Sequence, residues 1–316
     1  MGDRLRLRAH AKVNLCLSVG APIADGPQRG MHPIASWFAP IEVHDEVTIE
    51  RINYYSAPDP NGSSPDWDIR WAGGDPVAWP LESDLAYRAA QLVKGDLPHL
   101  IGFRVRIRKR IPAGGGLGGG SSDAAAVMVG LNHLYDAGLS TDELRRRAAT
   151  LGSDIAYFID EVPVGTPPRP AYVGGLGDEI VRTPAVAGDL TLFCPRFGCP
   201  TGAVYAAFDA ALDGASPTSP PRADAVRAAA EAARLDDAAL FNDLAGPACD
   251  VQPDLNQIRL EASAAIGRPV HVSGSGSTLF ALGHHRPGTP FDPGTLPEGR
   301  RFPPGFDARR YQTRFV

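Results

Sequence analysis

Residues 111–126 read IPAGGGLGGGSSDAAA. Six glycines (Gly114, Gly115, Gly116, Gly118, Gly119 and Gly120) are interrupted only by Leu117, and Ser121, Ser122, Asp123 and an alanine run follow. Glycine has no Cβ, so such a loop can take positive φ and bring bare backbone N–H groups up to a ligand. A helix beginning beside it adds unpaired donors and a partial positive charge. The ligand that suits this is an anion with several oxygens, most simply a polyphosphate. A flexible linker is the competing reading, and the flanks argue against it. Residues 103–108, FRVRIR, alternate apolar and basic with the period of a half-buried strand. Ala124, Val127, Met128, Leu131, Leu134 and Tyr135 recur at helical spacing; Ser121 or Ser122 fits the N-cap and Gly138 the close. The order is strand, glycine loop, helix. No Gly-Lys-Ser/Thr follows the glycines, so this is not a P-loop. Gly114-x-Gly116-x-x-Gly119 matches the dinucleotide pattern, but no strand ending in an acidic residue follows about 20 residues later.

A chain of 316 residues holds one large or two medium domains, and 43% hydrophobic residues supply a sizeable core. No apolar run approaches the length of about 18 residues that spans a membrane. The start, MGDRLRLRAH, has no apolar signal core. Cys16, Cys194, Cys199 and Cys249 form no C-x-x-C pair, which suits ordinary thiols in a reduced, cytoplasmic setting. A net charge of −5 speaks against a nucleic-acid partner. In the basic cluster, Arg104, Arg106 and Arg108 read as a solvated strand face with Val105 and Ile107 turned inward.

Elsewhere the alternation over residues 5–17 predicts a strand pair. Two strands are predicted at 34–41 and 42–52, the second alternating Val43, Asp45, Val47 and Ile49. Residues 53–80 read as a loop with one short strand, its tryptophans folded back. A helix follows at 84–94. Ser140 and Glu143 form a capping box, and Ser153 can cap a short helix over 154–159. Residues 163–179 read as a proline- and glycine-rich crossing. Beyond it come a strand at 190–194, helices at 202–212, 223–235 and 255–265, strands at 269–273 and 279–282, and a last strand at 311–316. Residues 214–222 have the composition of a mobile loop, and 284–308 are proline-rich. His284-His285 within them has no third ligand and reads as a solvated loop. Helices and strands alternate irregularly, so the fold class is α+β.

Pro112 to Asp123 resembles the phosphate-binding motif of the GHMP small-molecule kinases. Ala11-Lys12-Val13-Asn14-Leu15-Cys16-Leu17 resembles their first motif, and His271-Val272-Ser273-Gly274-Ser275-Gly276-Ser277-Thr278-Leu279-Phe280 their third. Leu151-Gly152-Ser153-Asp154-Ile155, Asn132-His133-Leu134 and Asn242-Asp243-Leu244 point to the branch acting on a cytidine-diphosphate polyol. The resemblance spans about residues 7–282. It implies a two-domain fold, an N-terminal ATP-binding domain over 1–163 and a C-terminal domain over 164–316, with the active site in the cleft between them. It implies ATP-dependent phosphorylation of 4-diphosphocytidyl-2-C-methyl-D-erythritol on its C2 hydroxyl, in non-mevalonate isoprenoid biosynthesis. Two other readings stay open: another acceptor of the same superfamily (mevalonate, homoserine or a sugar), and a catalytically inactive nucleotide-binding relative.

Phosphoryl transfer needs a phosphate grip, charge neutralisation, a base and acceptor recognition. The implied grip is Pro112 and Gly114, Gly115, Gly116, Leu117, Gly118, Gly119, Gly120, Ser121 and Ser122, with Lys109 holding the nucleotide. Asp154 follows a Gly-Ser helix break, where a helix N-terminus can hold a carboxylate ionised. It is the candidate base, against the alternative of a plain helix-start residue. Lys12 lies between apolar strand neighbours; its ammonium can pair with Asp154 and stabilise the transferring phosphoryl, unless it is merely an exposed strand lysine. Asn14 lies two residues on, on the same face, and is a substrate contact. His32, Phe197, Thr201 and Asp154 complete the acceptor side. Mg²⁺ is the expected companion of ATP, positioned by Ser121, Ser122 or Asp123. The partner is a small molecule, with no nucleic acid or membrane, and the state a monomer or weak homodimer. Three departures stand out. Gly30-Met31-His32 replaces Asp-Gly-Tyr-His, so a methionine stands where an aromatic would stack on cytosine. Ala156 and Tyr157 follow Asp154 where Pro and Phe are usual, and Ser83-Asp84-Leu85 replaces Asp-Asn-Leu.

Overall fold

Leu5, Leu7, Ala9, Ala11, Val13, Leu15, Leu17 and Val19 share one parity, with no turn residue among them. A computed structural model, which describes residues 3–53, 66–97, 101–212, 217–283 and 309–316, makes them a single strand, β1 (Arg4–Val19), rather than the expected pair. The two strands expected at 34–41 and 42–52 are likewise one, β2 (Ile34–Asn53), since Ala35 to Ile49 also keeps one parity. Alternation that never slips leaves nothing to turn the chain.

The chain folds into two compact units. The first comprises Met1–Ala11, Val43–Ile111 and Gly118–Pro168; the second comprises Lys12–Glu42, Pro112–Leu117 and Arg169–Val316.

In the first unit, β3 (Asp66–Trp71) pairs parallel with β4 (Ile101–Lys109), which pairs antiparallel with β2. Phe103, Val105 and Ile107 are buried, while Arg104 and Arg106 reach Glu50 on the other face at 3.8 and 3.6 Å, as the alternation predicts. Four helices follow in sequence: α1 (Leu85–Lys94), α2 (Gly119–Tyr135), α3 (Thr141–Ala148) and α4 (Ile155–Phe158). Asp84 caps α1, accepting from the Ala86 and Tyr87 amides and from Trp79 Nε1. Ser140 Oγ caps α3 through the Glu143 amide, as read from the capping box. Trp67 packs edge-on against Tyr87 and Trp71 against Trp79.

In the second unit, the crossing read as irregular contains a hairpin, β5 (Ala171–Gly174) and β6 (Glu179–Arg182), turned by Gly175 and Gly177; β5 pairs with β2. A separate sheet has the order β11-β7-β10-β9, from β7 (Asp189–Cys194), β9 (His271–Val272), β10 (Leu279–Leu282) and β11 (Arg309–Arg314). The helices here are α5 (Thr201–Ala211), α6 (Ala223–Ala232), α7 (Ala245–Val251) and α8 (Pro253–Ile266). A two-residue strand, β8 (Phe241–Asn242), pairs parallel with β1. Phe193, Val204, Leu244, Leu255, Ile258 and Leu279 form one buried cluster. The segment expected to be mobile is tied down where it is described: Pro217 O accepts from the Ala21 amide, and the Arg222 amide donates to Ser18 Oγ. Residues 54–65, 213–216 and 284–308, including His284 and His285, lie outside the described residues.

The fold is α+β. All four cysteines are free thiols, and burial pushes Cys16 and Cys199 up to about 11. Among the described residues, no helix is long and apolar enough to cross a membrane.

Candidate active site

The glycine loop leaves β4 and enters α2 through three positive-φ glycines, Gly114, Gly116 and Gly118. Gly118 is itself the N-cap, at φ +71, and no side chain caps the helix. This corrects the expected serine cap: the helix starts earlier, and Ser121 and Ser122 lie inside its first turn. The difference matters chemically. A capping hydroxyl would satisfy an amide of the first turn; here those amides keep their donors for a ligand. At the far end, Asp136 at φ +51 is the C-cap, with Gly138 two residues beyond.

A second glycine segment, residues 273–278, stitches the first in place. The Thr278 amide donates to Gly115 O at 3.1 Å, Ser273 Oγ donates to Gly116 O at 3.4 Å, and the Lys12 amide donates to Leu117 O at 3.0 Å. A Cβ on Gly116 would stand 2.5 Å from Ser273 O, so the two backbones touch where any side chain would separate them. Asn242 holds the second segment by donating Nδ2 to Val272 O and Gly274 O.

Lys12 is buried, not an exposed strand lysine. Its Nζ donates to Asn14 Oδ1 at 2.6 Å and lies 4.5 Å from the Phe38 ring centroid. Asn14 Nδ2 donates to Ser36 Oγ, and its backbone amide to Ser273 Oγ. The shared face of Lys12 and Asn14 is therefore real, and Asn14 orients the ammonium.

Asp154 immediately precedes α4. Its carboxylate makes no cap hydrogen bond, so the expected hold by the helix N-terminus is not made; Ser153 Oγ lies 3.5 Å from its Oδ1. Ser153 does not cap the helix either, Asp154 being the cap residue.

Lys109 lies at the end of β4 with its side chain 5% exposed. Its ammonium donates to Asp45 Oδ2 and, at 2.5 Å, to Asp123 Oδ2. Burial by itself would lower its pKa; the carboxylates of Asp123 and Asp45 outweigh that and hold it above the ordinary lysine value. Burial pushes the Asp123 carboxyl well above the usual range, against the pull of Lys109 and with the Asp45 carboxylate adding to the push.

On the acceptor side, His32 Nδ1 lies 3.0 Å from Gly20 O and Nε2 lies 3.5 Å from Asp209, with the ring tilted against Tyr205. Both ring nitrogens thus face protein groups. Met31 is 46% exposed. Phe197 is half-buried on the core cluster, and its neighbour Gly198 brings a would-be Cβ within 3.4 Å of Gly114 O, beside the phosphate loop. Thr201 starts α5 and its Oγ1 lies 3.0 Å from Ser275 Oγ.

The model of the GHMP kinases N terminal domain matches residues 84–161. A 4-diphosphocytidyl-2-C-methyl-D-erythritol kinase of Symbiobacterium thermophilum is 34% identical over 288 residues, 88% of this chain and 90% of its own. The enzyme of that name from Caulobacter vibrioides is 35% identical over the same shares, 88% and 90%. The chain belongs to the 4-diphosphocytidyl-2-C-methyl-D-erythritol kinase family. A crystal structure titled 4-(cytidine 5'-diphospho)-2C-methyl-D-erythritol kinase superposes with a TM-score of 0.69 at 28% identity, covering 98% of this chain and 99% of that one.

Within this GHMP kinase, several residues that build the site escaped the motif reading. Ser36 and Phe38 arrive from β2 beside Lys12. Asp45 was legible as a carboxylate on the apolar parity of β2, the only charged member of the series Val43, Asp45, Val47, Ile49.

Proposed function

We propose that the chain is an ATP-dependent kinase that phosphorylates the C2 hydroxyl of 4-diphosphocytidyl-2-C-methyl-D-erythritol, a step of non-mevalonate isoprenoid precursor biosynthesis. The observation that carries this is the uncapped start of α2 behind three positive-φ glycines, in a chain of this family. Such a helix end binds phosphate oxygens through backbone N–H groups and its dipole. The transferred phosphoryl needs positioning and charge stabilisation rather than covalent chemistry from the protein. Gly114 to Ser122 grip the ATP phosphates. Lys12, held by Asn14, balances charge that builds on the transferring group. Asp154 takes the proton from the acceptor hydroxyl, its carboxylate not spent on capping α4. Thr201 and Phe197 lie near the two glycine segments and face the acceptor, Phe197 stacking on its base.

Mg²⁺ travels with ATP in this reading and neutralises phosphate charge when bound. The donor set suits it: magnesium takes hard oxygen ligands, most of them from phosphates and water. Asp123 gives Oδ2 to Lys109 while its buried Oδ1 accepts no hydrogen bond, so that oxygen and the hydroxyls of Ser121 and Ser122, in the first turn of α2, are the fitting donors. ATP use and four free thiols fit a cytoplasmic enzyme.

A second acceptor of the GHMP class is favoured by one observation. The ring nitrogens of His32 face Gly20 and Asp209, and Met31 stands where the resemblance expects an aromatic. Measuring ATP consumption against the cytidine compound, mevalonate, homoserine and a sugar panel decides between them. Turnover with the cytidine compound supports the proposal; turnover confined to another acceptor replaces it.

A further inference from the structure

The resemblance gave Lys109 to the nucleotide, and the structure puts its ammonium elsewhere. Three charged side chains meet at this point, and all are buried: Asp45 at 0%, Lys109 at 5% and Asp123 at 4% side-chain exposure. They come from three elements, β2, the last residue of β4 and the fifth residue of α2. Asp45 does more than pair with Lys109. Its Oδ1 accepts the backbone N–H groups of Arg110 and, at 2.8 Å, of Ile111, the two residues that lead into the phosphate loop. Lys109 carries the connection on to Asp123, at the loop's other end. A second contact closes the same gap: a Cβ on Gly119 would stand 2.8 Å from Ile111 Cγ2.

We propose that Lys109 is a positioning residue, which with Asp45 and Asp123 forms a buried staple fixing the separation of the two ends of the phosphate loop, and that it does not touch the nucleotide. Two of the ammonium's three N–H donors go to carboxylates and the side chain is 5% exposed, so it is turned into the protein rather than toward a purine or a phosphate. What it supplies is geometry. The amides at the start of α2 grip a phosphate only if the helix begins at a set distance from the strand that precedes it. The loop between is glycine-rich and cannot hold that distance itself, because glycine restricts the backbone least. A charge-assisted hydrogen bond at each end is short and directional, and suits the task. Removing one member leaves the others buried without their partner, so the three residues act as one.

This rests on the phosphate-loop reading above, and the test separates the two. ATP binding by the unaltered chain is measured first by calorimetry. If it binds no ATP, the loop reading fails and the staple falls with it. Lys109→Met, Asp45→Asn, Asp123→Asn, Lys109→Arg and the double variant Lys109→Met/Asp123→Asn are then compared. Each single neutral variant is expected to raise the KM for ATP at least tenfold and leave the acceptor KM within twofold. Lys109→Arg should recover part of the loss, and the double variant should be no more than twofold worse than the poorer single one. Should Lys109→Met fail to fold, the two Asp→Asn variants, which keep shape and an acceptor oxygen, decide alone. The proposal is overturned if both of these leave the ATP KM within twofold of normal, or if the ATP and acceptor KM values rise together. A loss confined to Lys109→Met would return this lysine to the nucleotide.

Discussion

Gly116→Ala is the most direct probe of the stitched loop, because two separable costs meet at one atom. Gly116 has φ +76, so alanine there pays roughly 1–2 kcal/mol of left-handed strain. The added Cβ would also stand 2.5 Å from Ser273 O and 3.1 Å from Gly276 O, both backbone atoms that cannot swing aside. An ordinary carbon–oxygen contact is ~3.3 Å, so one segment must retreat by roughly 0.8 Å. A misplacement of about 1 Å in a catalytic array costs on the order of 10²-fold in rate. Gly138→Ala is the control. Gly138 has nearly the same φ, +73, but nothing lies within 4 Å of its would-be Cβ, so it carries the strain without the clash. Gly116→Ala, with strain and clash, should lose more stability by thermal melting than Gly138→Ala, with strain alone, and only Gly116→Ala should lose about 10²-fold in kcat/KM for ATP. Equal activity in the two variants would refute the claim that close backbone contact sets the loop.

Asp154→Asn should keep ATP binding by calorimetry and lose roughly 10²–10⁴ in turnover, the range of a positioned general base; near-normal turnover removes it from the mechanism. Lys12→Ala should impair turnover as well, and an effect on melting temperature alone would make Lys12 structural. Met31→Tyr should tighten the cytidine-containing acceptor by about tenfold, toward the lower end of the roughly 1–3 kcal/mol that base stacking is worth, and leave ATP affinity unchanged; no gain in acceptor titrations would contradict stacking at this position. Burial holds the His271 ring below its ordinary pKa, with Asp237 opposing. A depressed histidine favours the neutral folded form, so its contribution is present above the ordinary imidazole range and is lost as pH falls through it. His271→Gln should flatten that acid-side loss in thermal melts, and an unchanged slope would count against it.

The glycine loop and its flanks were legible because composition and period agree there. Phe103, Val105 and Ile107 face inward and the alternating arginines outward, as read. Lys109 shares the inward parity of those three residues, and Asp45 that of Val47 and Ile49. That parity puts both on the buried face, a signal the motif reading left unused when it gave Lys109 to the nucleotide, and nothing in it pairs residues 64 apart. The serine cap was misplaced for a reason of propensity. Gly119 and Gly120 each cost about 1 kcal/mol in a helix, so local rules start α2 after them; the tertiary packing of the loop overrides that cost. Lys12 could not be placed by alternation, since β1 from Ala9 onward is buried on both faces and polar contrast vanishes. The hairpin of β5 and β6 hid behind the prolines that precede it, and β8 and α7 are too short to show a period.

The central claim, phosphoryl transfer from ATP to one hydroxyl of a cytidine-bearing polyol, is tested most directly by incubating the chain with ATP, Mg²⁺ and 4-diphosphocytidyl-2-C-methyl-D-erythritol and locating the new phosphate by ³¹P and ¹³C NMR. One new phosphomonoester, coupled to C2, is expected, forming on the order of 10²–10⁴-fold more slowly with Asp154→Asn. A phosphate on another carbon, or no product from this compound while mevalonate, homoserine or a sugar is phosphorylated, would contradict it.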